Sequence, residues 1–84
     1  MIKVSIAVMK ESHRTTFYVV FLNEHGETQT PHYFEERPKA VFTAAEYAWF
    51  FRDMGAFEQL SKELKETDPV MYKMLEMHAD FDDV

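Results

Sequence analysis

The stretch FTAAEYAWFFRDMGAFEQLSKEL, residues 42–64, contains the clearest helix start signal of the chain and much of its bulky apolar mass. Thr43 and Glu46 have capping-box spacing: the Thr43 hydroxyl accepts from the Glu46 amide, and the Glu46 carboxylate reaches back to the cap. Phe42 and Tyr47 take the flanking hydrophobic-staple positions. We therefore expect a helix to begin at Thr43, with residues 40–42 as a short extended lead-in.

Gly55 leaves two arrangements open inside this stretch. It is placed to be the left-handed residue after a helix that ends at Met54. However, apolar residues keep a 3–4 spacing straight across it: Phe50, Met54, Phe57, Leu60 and Leu64. That spacing favours a bent or continuous helix, in which the glycine costs about 1 kcal/mol. Glu58, Lys62 and Glu66 then fall on the opposite, solvated face.

The first third of the chain predicts a three-stranded antiparallel meander. Residues 1–10 alternate in polarity, as a strand does. Residues 15–22 are apolar on both faces, which is typical of a central strand covered on each side. Gly26 suits a turn with positive φ. Pro31 places the third strand, residues 27–34, at an edge or breaks it there. Residues 35–39 (EERPK) are expected to be a charged loop.

A last helix is expected from Asp68, a good N-cap, and Pro69, which is favoured in the first turn. It runs to about Ala79 with Met71, Met74, Leu75 and His78 along one stripe. The fold class is therefore α+β: an N-terminal meander packed by two or three C-terminal helices in a two-layer sandwich. We expect one domain over residues 1–79 and an acidic tail over residues 80–84.

Charge and composition narrow the class of protein. The net charge is −6, and residues 41–84 carry all of it, with ten acidic and four basic side chains. There is no cysteine, which excludes disulfides and thiolate metal sites. The N-terminus lacks a signal-peptide core, and no run approaches the roughly 18–20 apolar residues of a membrane span. We expect a cytoplasmic protein, in the host cytoplasm if it is viral.

The sequence offers little for catalysis. No serine lies in a nucleophile elbow, and the two glycines form no phosphate-binding loop. His13, His25, His32 and His78 are dispersed, and the aspartates near the C-terminus lack the glycine and glutamate of a calcium loop. We predict no catalytic, cofactor or metal site and no enzyme. Four aromatics could form a stacking platform for nucleic-acid bases: Phe17, Tyr18, Tyr33 and Phe34. No basic patch surrounds them, so direct nucleic-acid binding is not expected.

Protein binding is the function that the sequence favours, and eight residues are its candidates. Glu58, Glu63 and Glu66 could meet a basic surface and, in the extreme case, imitate DNA phosphates. Met71 and Met74 resemble the adaptable methionine surfaces that bind partner helices. The three remaining candidates are consecutive aromatics that cannot all face one way: Trp49, Phe50 and Phe51. One amphipathic helix covers only one face of the second strand, so the last helix or another chain must cover the other.

In size, charge and element order the chain resembles the small acidic proteins with which phages inhibit host enzymes or defence systems. This resemblance assigns no residue. We predict a non-enzymatic protein that binds and modulates a larger partner with a basic surface. The alternatives are a homo-oligomeric assembly subunit, for example a homodimer through the second sheet face, and a nucleic-acid-linked regulator.

Overall fold

A computed structural model of the chain describes residues 5–10, 16–23 and 26–82. The elements in order are β1 (Ser5–Lys10), β2 (Phe17–Asn23), β3 (Gly26–Phe34), α1 (Arg37–Phe50), α2 (Met54–Thr67) and α3 (Pro69–Asp82). The strands form one antiparallel sheet in the order β1-β2-β3, and the helices form the second layer. The predicted α+β meander with C-terminal helices is confirmed.

The strands keep the positions that the pattern predicts. β2 is central, and β3 lies at an edge. Gly26 has φ +127°, a conformation that suits glycine, at the start of β3. Tyr18 pairs with Tyr33 and Val20 with Gln29, so three residues of β3 lie opposite one residue of β2 at this irregular step. Pro31 lies within that step, and its missing N–H explains why regular pairing is interrupted there.

One face of the sheet is covered by α1 and α2. Ile6 and Val19 from the sheet and Ala44 and Ala48 from α1 form one buried cluster. A second buried cluster lies mainly within the helical layer and joins all three helices: Val41, Ala45, Leu64 and Leu75. The α1 alanines (Ala40, Ala44, Ala45, Ala48) are completely buried. Their small side chains allow the α1 backbone to lie close to the sheet on one side and to α2 and α3 on the other.

The helix α1 begins six residues earlier than the sequence predicted. It starts at Arg37, after the extended residue Glu36, and Pro38 lies in its first turn, where the missing N–H and fixed φ are favourable. The predicted capping box at Thr43 and Glu46 is therefore wrong, as is the extended lead-in over residues 40–42. Burial decides the outcome, because Ala40 and Val41 belong to the same buried stripe as the later alanines.

The helical stretch does divide in two, but Gly55 does not divide it. α1 ends at Phe50, and Arg52 has φ +60°. The N–H of Arg52 donates to the Trp49 carbonyl (3.2 Å) and that of Asp53 to the Ala48 carbonyl (2.8 Å), which is the Schellman pattern with arginine where glycine is usual. Gly55 lies in the first turn of α2, so both predicted arrangements around it are wrong.

The carboxylate of Asp53 fastens this corner to the sheet. One oxygen accepts from the Ala56 N–H (3.4 Å) and caps α2. The other accepts from the Ile6 N–H of β1 (3.1 Å), 47 residues away. Since β1 is an edge strand, this second bond satisfies a backbone donor that no neighbouring strand reaches.

The helix α3 starts as predicted and ends later. Asp68 Oδ1 accepts from the Met71 N–H (3.2 Å), and Pro69 is the first helical residue. The helix continues to Asp82, so residues 80–82 of the predicted tail are helical. In the described part of the chain, α3 contacts α1 and α2 but no strand. The prediction that the last helix could cover the second face of β2 is therefore wrong.

Candidate functional site

The turn between α1 and α2 exposes two phenylalanines and a methionine. Phe50 is 75% exposed, and Phe51 and Met54 are 44% and 41% exposed. We call these three residues the corner patch. Phe51 is anchored on Phe21 of β2 (ring centroids 5.7 Å apart), and Phe50 packs edge-on against Phe51 at 5.1 Å. The patch is thus an extension of the core to the surface, held in place from below.

A shallow concavity of about 440 Å³ adjoins the corner patch. Its walls are the outer face of α1 and the two phenylalanines: Thr43, Glu46, Tyr47, Phe50 and Phe51. Tyr47 is fixed by an edge-on contact with Phe21 at 4.9 Å. The Glu46 carboxylate lies 2.9 Å from Nδ1 of His78 in α3, within hydrogen-bonding distance. The concavity therefore joins apolar walls to one carboxylate whose position α3 helps to fix.

Trp49 does not share the surface of its two neighbours. It is half-buried and packs on Phe57 of α2 with ring centroids 5.1 Å apart. The Arg52 guanidinium lies over its ring at 4.6 Å. The prediction that three consecutive aromatics must diverge is confirmed: Trp49 joins the two helices, Phe51 reaches the sheet, and Phe50 faces outward.

A second exposed apolar surface runs along α3. Val70, Met74 and Met77 are 73%, 47% and 70% exposed and follow the 3–4 spacing of one helix face. We call them the α3 stripe. Met71, which the sequence grouped with Met74, instead packs half-buried beside Leu64 and Leu75. The spacing of residues 70, 74 and 77 by itself indicates one helix face. The prediction that grouped Met71 with Leu75 on the main face did not include Val70.

The predicted acidic candidates do not form one surface. Glu63 makes a bidentate pair with Arg37 (Oε2 to Nε 2.6 Å, Oε1 to Nη2 3.0 Å), and this hydrogen bond raises the pKa of Arg37 despite the opposing effect of partial burial. Glu58 and Glu66 are exposed on α2, as predicted, but Lys62 and Lys65 are exposed between them. The acidic excess lies further on: from position 74 to the end there are four acidic side chains and no lysine or arginine.

The aromatics of the sheet are divided between its faces. Phe17 pairs with Phe34, and Tyr18 pairs with Tyr33. Because neighbouring residues of a strand point to opposite faces, the two phenylalanines lie on the helix-covered face and the two tyrosines on the other. The four residues considered as a stacking platform therefore do not form one, and the Arg37 guanidinium lies over the Phe17 ring at 5.7 Å.

The described residues include no group of three or more histidine, cysteine, aspartate or glutamate side chains that could hold a metal ion. His78 is engaged with Glu46 and Phe42. His13 and His25, and the side chain of His32, lie outside what the structure describes. None of the helices that the structure describes is both long and apolar enough to cross a membrane.

Comparison with known proteins adds no relative to this description. No family model, no curated protein and no solved structure matches the chain.

Proposed function

We propose that this chain is a protein-binding protein that engages a larger partner through the corner patch and modulates that partner's activity. The observation that carries the proposal is Phe50: a phenylalanine that is 75% exposed, supported from beneath by Phe51 and placed beside a concavity. Monomeric domains seldom expose a contiguous, rigidly supported apolar patch unless it binds a ligand or another protein.

The charges around the patch indicate the chemistry of the partner. Glu46 lies one helical turn before Phe50 on α1, and Glu58 lies one turn after Met54 on α2. Each therefore shares a helix face with a patch residue. Arg52, the nearest cation in sequence, is stacked on Trp49. We infer a partner surface with an apolar pocket flanked by lysine or arginine side chains.

The exposed area of Phe50 is sufficient for a binding hot spot. A phenylalanine side chain can bury roughly 150–250 Å², so about 110–190 Å² of Phe50 remains available for a partner. At roughly 25 cal/mol per Å², its burial would contribute about 3–5 kcal/mol before ordering costs. We therefore expect Phe50→Ala to weaken binding by about 2–3 kcal/mol, which is about 30- to 150-fold.

The mixed charge of α2 gives no support to imitation of DNA. Lys62 and Lys65 interrupt the row of Glu58 and Glu66, and Glu63 is neutralised by Arg37. A phosphate-like row needs like charges at regular spacing, which this face does not have.

The experiment is affinity capture from the native host with the wild-type chain, followed by binding measurements on the purified partner. Phe50→Ala is the test variant, and Val70→Ala is the matched control, since Val70 is apolar and 73% exposed but lies on α3. We expect Phe50→Ala to lose the partner, Val70→Ala to keep it, and added salt to weaken the complex. A partner that binds Phe50→Ala as tightly as wild type would refute the proposal, as would one whose activity is unchanged when bound.

A further inference from the structure

The concavity beside the corner patch combines aromatic rings with a carboxylate. Phe50, Phe51 and Tyr47 supply the rings, Glu46 supplies the carboxylate, and none of the described residues that line it is lysine or arginine. Glu46 and Phe50 are four residues apart on α1, so their Cβ atoms lie about 5–6 Å from each other. A cation placed between them is attracted both by the face of the ring and by the carboxylate.

The Glu46 carboxylate can accept more than its contact with His78. That contact joins Nδ1 of His78 to Oε2 at 2.9 Å, and among the described residues His78 is the hydrogen-bonding partner of this carboxylate. A carboxylate accepts at both of its oxygens, and the Glu46 side chain is 41% exposed. His78 therefore orients the carboxylate and leaves Oε1 for a donor from another molecule.

A carboxylate and a ring already hold an arginine elsewhere in this chain. Arg37 donates to both carboxylate oxygens of Glu63 (2.6 and 3.0 Å), while its guanidinium lies over the Phe17 ring at 5.7 Å. A guanidinium can make both contacts because it is planar: its face lies on the ring and its edge donates to the carboxylate. An ammonium is a compact, strongly hydrated charge and lacks this geometry.

Glu46 and Phe50 repeat the combination of Glu63 and Phe17 on an exposed surface. Both arginines that the structure describes are held at other rings, Arg37 at Phe17 and Arg52 at Trp49. The size of the concavity, about 440 Å³, is at the small end of the roughly 300–1,000 Å³ of sites for drug-sized molecules. Such a volume suits one long side chain.

We propose that the concavity is an arginine-binding site, in which an arginine side chain of the partner lies across the Phe50 ring and donates to Oε1 of Glu46. This inference rests on the proposed function, because the partner supplies the arginine. It goes further by selecting arginine over lysine and by assigning the carboxylate that receives it.

The test is an NMR titration of the isotope-labelled full chain with N-acetyl-arginine amide at constant ionic strength. A single side chain binds weakly, so we expect a millimolar Kd, with shifts confined to the amides of residues 43–51. Nuclear Overhauser effects should connect the arginine methylenes to the Phe50 ring. N-acetyl-citrulline amide has nearly the same shape without the charge and should bind at least about tenfold more weakly. N-acetyl-lysine amide, with its free ammonium, should bind about threefold more weakly than the arginine probe.

Two variants test the two halves of the site. Glu46→Gln keeps the shape of the side chain but removes its charge, and should weaken binding of the arginine probe about fivefold. Glu58→Gln removes the same charge from the exposed face of α2; it is the matched control and should bind as wild type does. Phe50→Leu keeps an apolar side chain but removes the ring, and should weaken binding about two- to fivefold. Circular dichroism verifies the fold of each variant.

Several results would overturn the arginine site. Wild type without a saturable shift up to about 100 mM probe would do so. So would citrulline or lysine probes that bind as tightly as the arginine probe, since the guanidinium would then not be selected. Equal losses for Glu46→Gln and Glu58→Gln, with shifts spread along the helices, would show general attraction to the acidic half of the chain in place of a site.

The purified partner separates this inference from the proposed function. A partner that is lost with both Phe50→Ala and Glu46→Gln supports both. A partner that is lost with Phe50→Ala but kept by Glu46→Gln refutes the arginine site and leaves the corner patch as the binding surface. A chain that binds the arginine probe in the concavity, but whose partner ignores Phe50→Ala, refutes the proposed function and leaves the chemistry of the site.

Discussion

The two faces of the sheet differ far more in the structure than in the sequence. In β1 and β2 both faces carry apolar side chains at alternate positions. On one face the alanines of α1 lie against Ile6 and Val19, which are 5% and 0% exposed. On the other, Val20 is also buried, at 1% exposure, but Met9, Leu22 and Tyr33 keep two fifths or more of their surface exposed. The difference teaches that the row of small residues in α1 joins one face of the sheet to the helices in a common buried cluster, to which Val20 on the other face does not belong.

The largest expected effect comes from truncating matched residues on the two faces of β1. Ile6→Ala removes a side chain that is 5% exposed and should lower the free energy of unfolding by about 2–4 kcal/mol. Met9→Ala, at 42% exposure, should lower it by less than about 1 kcal/mol. Urea denaturation measures both. Equal losses at the two positions would mean that the faces are energetically equivalent and would break the comparison.

The alanine row can be tested by enlarging it. Ala44→Leu inserts three carbons where α1 meets the covered face and should cost about 1–3 kcal/mol of stability. Thr43→Leu, the neighbouring position on the outer face of α1, is the control and should cost less than about 0.5 kcal/mol. Thermal unfolding followed by circular dichroism compares the two. An unchanged Tm for Ala44→Leu would show that close approach is not what holds the helix on this face.

The stability contributed by the hydrogen bond between the helical layer and β1 can be measured with a variant of Asp53. Asp53→Ala removes both the α2 cap and the bond to the Ile6 N–H, and should cost about 2 kcal/mol. Asp68→Ala removes only the α3 cap and should cost about 1 kcal/mol. The difference between the two losses of unfolding free energy reports the bond to the sheet. If the two variants lose the same amount, that bond contributes nothing.

The smallest effect is expected at Arg52, in the turn between α1 and α2. Arg52→Gly relieves a left-handed conformation worth about 1–2 kcal/mol but loses the stacking on Trp49 and adds flexibility to the unfolded chain, each worth about 0.5–1 kcal/mol. We expect a net change within about 0.5 kcal/mol. Arg52→Ala keeps the strain and loses the stacking, so it should be the less stable of the two by chemical denaturation. The reverse order would show that the strain is negligible.

The sequence predicts the elements well where the signal is local. The alternation of apolar and polar residues predicts the strands, Asp68 and Pro69 predict the start of α3, and Pro31 predicts the edge position of β3. It failed where tertiary burial outweighs a local motif. Thr43 and Glu46 match a capping box, yet burial of Ala40 and Val41 extends the helix past them toward its N-terminus.

The candidate surfaces were only partly predictable for a related reason. The divergence of Trp49, Phe50 and Phe51 follows from helix geometry alone, but which ring faces outward depends on where α1 ends. That end depends on Arg52, a residue type that is seldom left-handed and so gives no signal. Likewise, the pairing of Glu63 with Arg37 joins residues 26 positions apart and could not be inferred from spacing.

The bond from Ile6 to Asp53 has a consequence for the order in which the chain folds. A strand at the rim of a sheet is usually the first to fray and the quickest to exchange its amide hydrogens. Here the rim amide of Ile6 is held by a carboxylate 47 residues away, which is in place only after the Schellman corner and the start of α2 have formed. Closing so long a loop is slow, so β1 should be secured late in folding, and the Ile6 amide should exchange as slowly as those in the middle of β2.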